Sequence, residues 1–248
     1  MNNYRYGGYP PPVLPGMEDY IIQDFTTTTD SNALPFRTKS VKADPFFLHM
    51  CECCKFTAQW QMPIIEPVSD TSILEREIMG YDRIANVQSP NYGTHFYCSD
   101  HKILASLRNP IQVYQRIKSQ PFVIGPDYSV RMNMPFPQKL NNSFNIKLVT
   151  AWYQYMGMLT VPNVVWADKS HIDAYLDGYP YHSIIAINST GIRHDARAIT
   201  NWQTGYRYVI EVLNPIAIIR YGVKLPDEVE SISYYKKNDN LKSCCYGW

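Results

Sequence analysis

"YHSIIAINSTGIRHDARAITNWQTGYRYVIEVLNPIAIIRYG", residues 181–222, decides the fold. It opens with the apolar run "YHSIIAINSTG" (181–191) and closes with a second, "PIAIIRYG" (215–222). Between them "TNWQTGYRYVIEVLN" (200–214) spaces its apolar residues at helical intervals, with Thr200 placed to cap the helix. Short continuous apolar runs are strands buried on both faces. A helix between two of them supplies the crossover that parallel strands need.

The same rhythm extends toward the N-terminus. "QPFVIGPDYS" (120–129) reads as a strand ending in a Gly-Pro-Asp turn. "PQKLNNSFNIKLVTAWYQYMG" (137–157) reads as a long helix closed by Gly157. "LTVPNVVWAD" (159–168) is a further strand and "SHIDAYLDG" (170–178) a short helix or turn. Residues 113–228 therefore read as an α/β domain, a mainly parallel sheet with flanking helices.

The flanks read differently. Residues 1–40 are a weakly ordered Pro/Gly/Thr-rich arm, and 229–248 a polar tail ending in "SCCYGW". Within 41–112, "FTAQWQM" (56–62) alternates like a strand. "SILEREIMGY" (72–81) suits a short helix capped by Asp70 or Ser72. "GTHFYC" (93–98) is a strand, and "SDHKILASLRN" (99–109) a helix ended by Asn109 and Pro110.

This segment also carries "HMCECCKF" (49–56). Cys51 and Cys54 form a C-x-x-C pair, and Cys98 and His101 a C-x-x-H pair. Two such turns brought together give zinc four tetrahedral ligands, as in a treble-clef finger. The expectation is a structural Zn²⁺ on Cys51, Cys54, Cys98 and His101, with Cys53, His49 and His95 as alternative ligands. A closed four-ligand site holds a fold together and leaves no position for catalysis.

Composition narrows the function classes. With 23 basic and 22 acidic residues, no global field attracts nucleic acid, so such binding needs a local patch. Lys55, Arg108, Arg116 and Lys118 are the candidate phosphate partners. No apolar run approaches membrane-spanning length, and the N-terminus lacks a secretory signal. The expected setting is the reducing cytoplasm of a bacterial host, with no membrane partner.

Ligands of open parallel sheets bind beyond the carboxyl ends of the strands. Asp127, Trp166, Asp168, Asn188, Ser189, Thr190 and Tyr221 all stand at such ends. Asp127 and Asp168 are the candidate catalytic pair, as acid and base or as ligands of Mg²⁺. Trp166, Asn188, Ser189, Thr190 and Tyr221 are the candidate ligand-binding set for a nucleotide or sugar. There is no G-x-G-x-x-G, G-x-x-x-x-G-K-[ST] or G-x-S-x-G motif.

Four motifs occur in order: Pro-Asp-Tyr-Ser (126–129), Val-Pro-Asn-x-x-Trp (161–166), Asp-Gly-x-Pro (177–180) and Pro-x-x-x-Ile-x-Tyr-Gly (215–222). They resemble an uncharacterised domain-of-unknown-function family of bacteria, phages and plasmids, over about residues 120–225. One departure is Asn133 ahead of Met134-Pro135, where that family more often has an acidic residue. The resemblance implies an α/β core and a mobile-element setting, and no reaction. The leading functional reading is a nucleic-acid-associated accessory protein of such an element. The alternatives are an enzyme acting on a nucleotide or sugar through Asp127 and Asp168, and a virion-associated assembly protein using the N-terminal arm.

Overall fold

The computed structural model describes residues 47–84, 92–190, 192, 196–225 and 227–236. The arm expected over 1–40, the terminal Cys244 and Cys245, Gly191 and His194 lie outside these residues. Seven strands are described: β1 (Ile78–Gly80), β2 (Gly93–Phe96), β3 (Val123–Pro126), β4 (Thr160–Val161), β5 (Ile184–Asn188), β6 (Ala217–Tyr221) and β7 (Ser233–Lys236). Every strand pair is parallel, in two runs, β1-β2-β3-β4 and β5-β6-β7. A parallel bridge, Asn163 to Ala186, joins β4 to β5. Its hydrogen bonds are Val164 N–H to Ala186 O at 2.9 Å and Ala186 N–H to Pro162 O at 2.8 Å.

Strand order thus follows sequence order. Right-handed crossovers between successive parallel neighbours place all their connections on one side of the sheet. The other side must bury itself, and it does so by curling. Tyr97, just after β2, and Tyr221, at the end of β6, stand four strands apart, roughly 19 Å in a flat sheet. Their rings stack with centroids 4.5 Å apart. The sheet curls in the manner of a (β/α) barrel, with β7 and β1 not paired among the described residues. At its seam the buried Lys236 of β7 donates from Nζ to the carbonyl of Leu74, ahead of β1, at 2.5 Å.

Alternate side chains confirm the two faces. The inward set includes Ile78, Phe122, Ile124, Val161, Ile184, Ala186, Ala217 and Ile219, with Val68, Ile73 and Leu74 packed among them. The outward set meets the helices. Phe96 and Val123 pack against α5 (Phe136–Tyr155), through Ile146, Val149 and Trp152. Ile185, Ile187 and Ile218 pack with α6 (Ile172–Leu176) and with Trp202, Tyr206 and Val209 of α7 (Ala196–Leu213).

Several expectations need correction. "FTAQWQM" is a tight loop, with Gln61 at φ 51° and Thr57 N–H bonded to Met62 O at 2.9 Å. The helix expected over 72–81 shrinks to a 3₁₀ turn, Thr71–Ile73, capped by Asp70, because Ile78–Gly80 gains more as a barrel strand. Thr200 does not cap α7; the helix begins at Ala196, and Thr200 Oγ1 donates back to the Ala196 carbonyl at 3.0 Å. The tail expected from 229 carries β7. The sheet also runs through the boundary expected at residue 112, because β1 and β2 pair with β3. β1 and β2 are parallel, so they do not form the hairpin of a treble clef.

Gly205 marks where α7 meets the barrel. A Cβ there would fall 2.1 Å from Nε1 of Trp166, whose ring packs on Trp202. On propensity alone Gly205→Ala would stabilise the helix by about 1 kcal/mol. Here the collision reverses the sign, and denaturant titration should show a net loss of about 1–3 kcal/mol. A stabilised variant would mean that α7 and Trp166 have room to separate.

Candidate functional site at the carboxyl end of the barrel

The barrel interior changes character along its axis. Its lower and middle positions are aliphatic, while the carboxyl end holds His95, Tyr97, Asp127, Asn163, Asn188 and Tyr221. Active sites of (β/α) barrels lie at this end. Burying so many polar side chains costs stability unless each is paired, so the pairing is informative.

Asp127 directly follows β3 and is partly buried. Asn163 Nδ2 donates to its Oδ1 at 2.9 Å, and Asn188 Nδ2 donates to its Oδ2 at 2.8 Å. Asn163 also donates to Pro126 O at 3.0 Å and accepts from Tyr97 OH at 3.2 Å. Three successive strands therefore aim one carboxylate. Burial pushes Asp127 above the usual carboxylate range, the two amide donors pull it back, and nearby Asp100 adds to the rise. The Tyr97 hydroxyl is pushed well up, by burial first and by the Asp127 charge second.

The other expected residues divide. Asn188 belongs to this network, and its Oδ1 also accepts the Thr190 N–H at 2.8 Å. Tyr221 stacks on Tyr97 and His95 in the same layer. Ser189 donates to Val223 O at 2.6 Å and secures the β6 turn. Gly222, at φ 101°, permits that approach, since a Cβ there would lie 2.7 Å from Ser189 Oγ. Trp166 lies on the outer face against Gly205 and Trp202.

Asp168 joins a different network. It pairs with Lys139 of α5, accepts from Ser170 at 2.5 Å and contacts His171 Nδ1 at 3.0 Å. Burial opposes its charge, but the hydrogen bonds from Lys139, Ser170 and His171 outweigh it and hold the carboxyl well below its usual range. Ser170 and Asp168 address the same ring nitrogen of His171, so this is a side-chain cluster without the geometry of a nucleophilic triad. Asp127 and Asp168 share no hydrogen-bond partner and belong to separate networks.

Among the described residues no three His, Cys, Asp or Glu side chains gather so as to hold a metal ion. Cys51, Cys53 and Cys54 lie on and just after a single helical turn, α1 (Leu48–Cys51), and none of the described cysteines forms a disulfide. Cys54 Sγ donates to Met50 O at 3.3 Å and Cys53 Sγ to His49 O at 3.5 Å. Burial pushes the Cys53 thiol up to about 11 and the Cys54 thiol higher still. Of the four expected ligands, Cys51 and Cys98 are half-buried, Cys54 is buried, and His101 is exposed on α2 (Asp100–Ile103).

With this geometry in place, the comparisons with known proteins can be read. A family model described as "Domain of unknown function (DUF4417)" matches residues 54–237. The chain belongs to the DUF4417 family. Its match begins at Cys54 and ends one residue past β7, so it takes in the whole seven-stranded barrel, well beyond the 120–225 that the motifs suggested. The "Gene 1 protein" of Mycobacterium phage L5 is 27% identical over 150 residues, 58% of this chain and 66% of that protein. The "Gene 1 protein" of Mycobacterium phage D29 is 23% identical over 150 residues, 58% of this chain and 56% of that protein. The match thus spans less than two thirds of either relative. No solved structure matches the chain. The mobile-element setting read from the motifs agrees with these phage relatives of a DUF4417 chain. No helix among the described residues is long and apolar enough to cross a membrane.

Proposed function

We propose that this DUF4417 chain is an enzyme acting on a nucleotide or sugar bound at the carboxyl end of its barrel, with Asp127 taking and returning a proton. The supporting observation is the Asn163–Asp127–Asn188 arrangement, in which two amides from neighbouring strands fix both carboxylate oxygens. Such fixing is the preorganisation that proton transfer needs, and burial moves the carboxyl toward neutral pH. Asp168 then serves as a structural acid that ties α5 to the 3₁₀ turn Lys169–His171.

The nucleic-acid-associated reading has less support. Of its candidate phosphate partners, Arg116 is engaged by the Tyr81 hydroxyl at 3.3 Å and lies over that ring at 5.4 Å. Lys55 lines a cleft of about 380 Å³ with Cys53, Glu66 and Tyr155. Salt-sensitive binding to single- or double-stranded nucleic acid would restore that reading.

The test is Asp127→Asn, which keeps the side-chain volume. Calorimetric titration with nucleoside 5′-monophosphates and with pentoses and hexoses identifies the bound class on the unaltered protein. The variant turns one acceptor into a donor facing an Asn amide, so it should fold with a loss of about 1–3 kcal/mol and lose about 10²–10⁴-fold in turnover of whatever bound compound is converted. Full turnover in Asp127→Asn would overturn the assignment.

A further inference from the structure

His95 carries an unexplained donor in the same layer. It is 3% exposed, and its Nδ1 accepts the backbone N–H of Tyr97 at 3.1 Å. That bond places the ring proton of the neutral imidazole on Nε2. Nε2 is buried and has no hydrogen-bond partner among the described residues. Buried donors are almost always satisfied, so an unsatisfied one at the carboxyl end of a barrel points to a partner that arrives with a ligand.

The surroundings describe that partner. The His95 ring lies 4.6 Å from Tyr221 and 5.2 Å from Tyr97, centroid to centroid. On its other side is Gly80, at the end of β1. A Cβ on Gly80 would fall 2.8 Å from Asp82 Oδ1, 3.5 Å from His95 Cε1 and 3.8 Å from His95 Nε2. Asp82 Oδ1 and the His95 imidazole edge thus both border Gly80, while Asp82 Oδ2 accepts from Lys102 Nζ at 2.7 Å. Burial holds His95 down to about 3 against the opposing pull of Asp82, so the ring stays neutral and keeps one donor.

Resting on the proposed function, we infer that His95 contacts the bound molecule by donating from Nε2 to a carbonyl oxygen or ring nitrogen, and that the molecule is a nucleotide recognised through its base. A planar heterocycle offers an acceptor and a donor side by side on one edge, which suits Nε2–H and the Asp82 carboxylate together. It also matches the flat rings of Tyr97 and Tyr221 better than a puckered sugar does. Tyr97 is the link between the two halves of the site. Its N–H sets the His95 tautomer, and its hydroxyl bonds Asn163, which holds Asp127.

The experiment is long-range ¹H–¹⁵N NMR on histidine-labelled full-length protein. The His95 signals are assigned by their loss in His95→Phe or, if that variant does not fold, in His95→Gln. The probes are AMP, GMP, CMP and UMP, with ribose 5-phosphate as the base-free control. The expected spectrum shows a neutral His95 with its proton on Nε2. That nitrogen should shift with at least one mononucleotide and not with ribose 5-phosphate. His95→Phe, or His95→Gln in its place, should weaken the same mononucleotide at least tenfold. A proton on Nδ1, no shift with any mononucleotide, or an equal shift with ribose 5-phosphate overturns the inference. A His95 shift that persists while Asp127→Asn keeps full turnover would instead leave His95 in place and remove the role given to Asp127.

Discussion

Glu228→Ala should cost this fold about 3–5 kcal/mol, the range for stranding one charge of a buried ion pair. Arg220, on the outward face of β6, and Glu228 are each 1% exposed at the side chain and are paired through Arg220 Nη2. The guanidinium lies 4.5 Å above the Trp202 ring of α7, and Nη2 also donates to Val223 O at 3.2 Å. Glu228 accepts the Leu225 N–H at 2.7 Å, so one carboxylate fixes both the arginine and the turn that leads toward β7. Removing it leaves a guanidinium under a helix with no water to solvate it. Glu228→Gln keeps the acceptor and should cost markedly less. Denaturant titration of the three proteins checks the ordering. Equal stability of Glu228→Ala and the unaltered protein would mean that solvent reaches Arg220 when the acid is gone.

That pair shows what the sequence could not disclose. Arg220 sits within an apolar run, and nothing in "PIAIIRYG" names its partner eight residues on. The strands and helices from 120 to 222 were legible because continuous apolar runs and helical spacing alternate without ambiguity there. β1, β4 and β7 are only three, two and four residues long, too short for periodicity to register. Their existence depends on neighbouring strands that the local sequence does not describe. Asp127, Asn188 and Tyr221 were legible as strand-end residues. Asn163 falls inside the strand expected over 159–168, and His95 was expected as an alternative zinc ligand. The Cys-rich run is harder to read, because spacing alone cannot say where thiols point. In this chain Cys54, just after the helical turn α1, donates back to the Met50 carbonyl and is buried in the α5 layer. Curling was deducible in principle: seven parallel strands in sequence order leave one face without helices. The sequence supplied the strands only in part, so the order had to come from the structure.

The second large effect concerns pH. Lys147, in the middle of α5, is fully buried. Its Nζ donates to Ser143 Oγ at 2.6 Å and to Tyr175 O at 2.8 Å, and lies 4.4 Å from the Tyr179 ring centroid. Burial pushes its pKa down to about 7, with Asp177 opposing the fall. In the unfolded chain the same amine titrates near 10.4. Between these values the unfolded chain binds more protons than the folded one, so stability must rise with pH. The full slope is about 1.4 kcal/mol per pH unit. Going from pH 7 to 9.5 should therefore add about 3 kcal/mol through this one residue. Other groups titrate in the same range: Lys236 is also depressed by burial, and Cys53 and Cys54 are raised by it. They are shared with Lys147→Met and cancel in the difference. The expected result is a wild-type stability curve that climbs relative to the Lys147→Met curve across that window, measured by denaturant titration at each pH. Parallel curves would mean that the amine stays charged in the folded barrel, held by the Tyr175 carbonyl, the Tyr179 ring and Asp177 strongly enough to offset its burial.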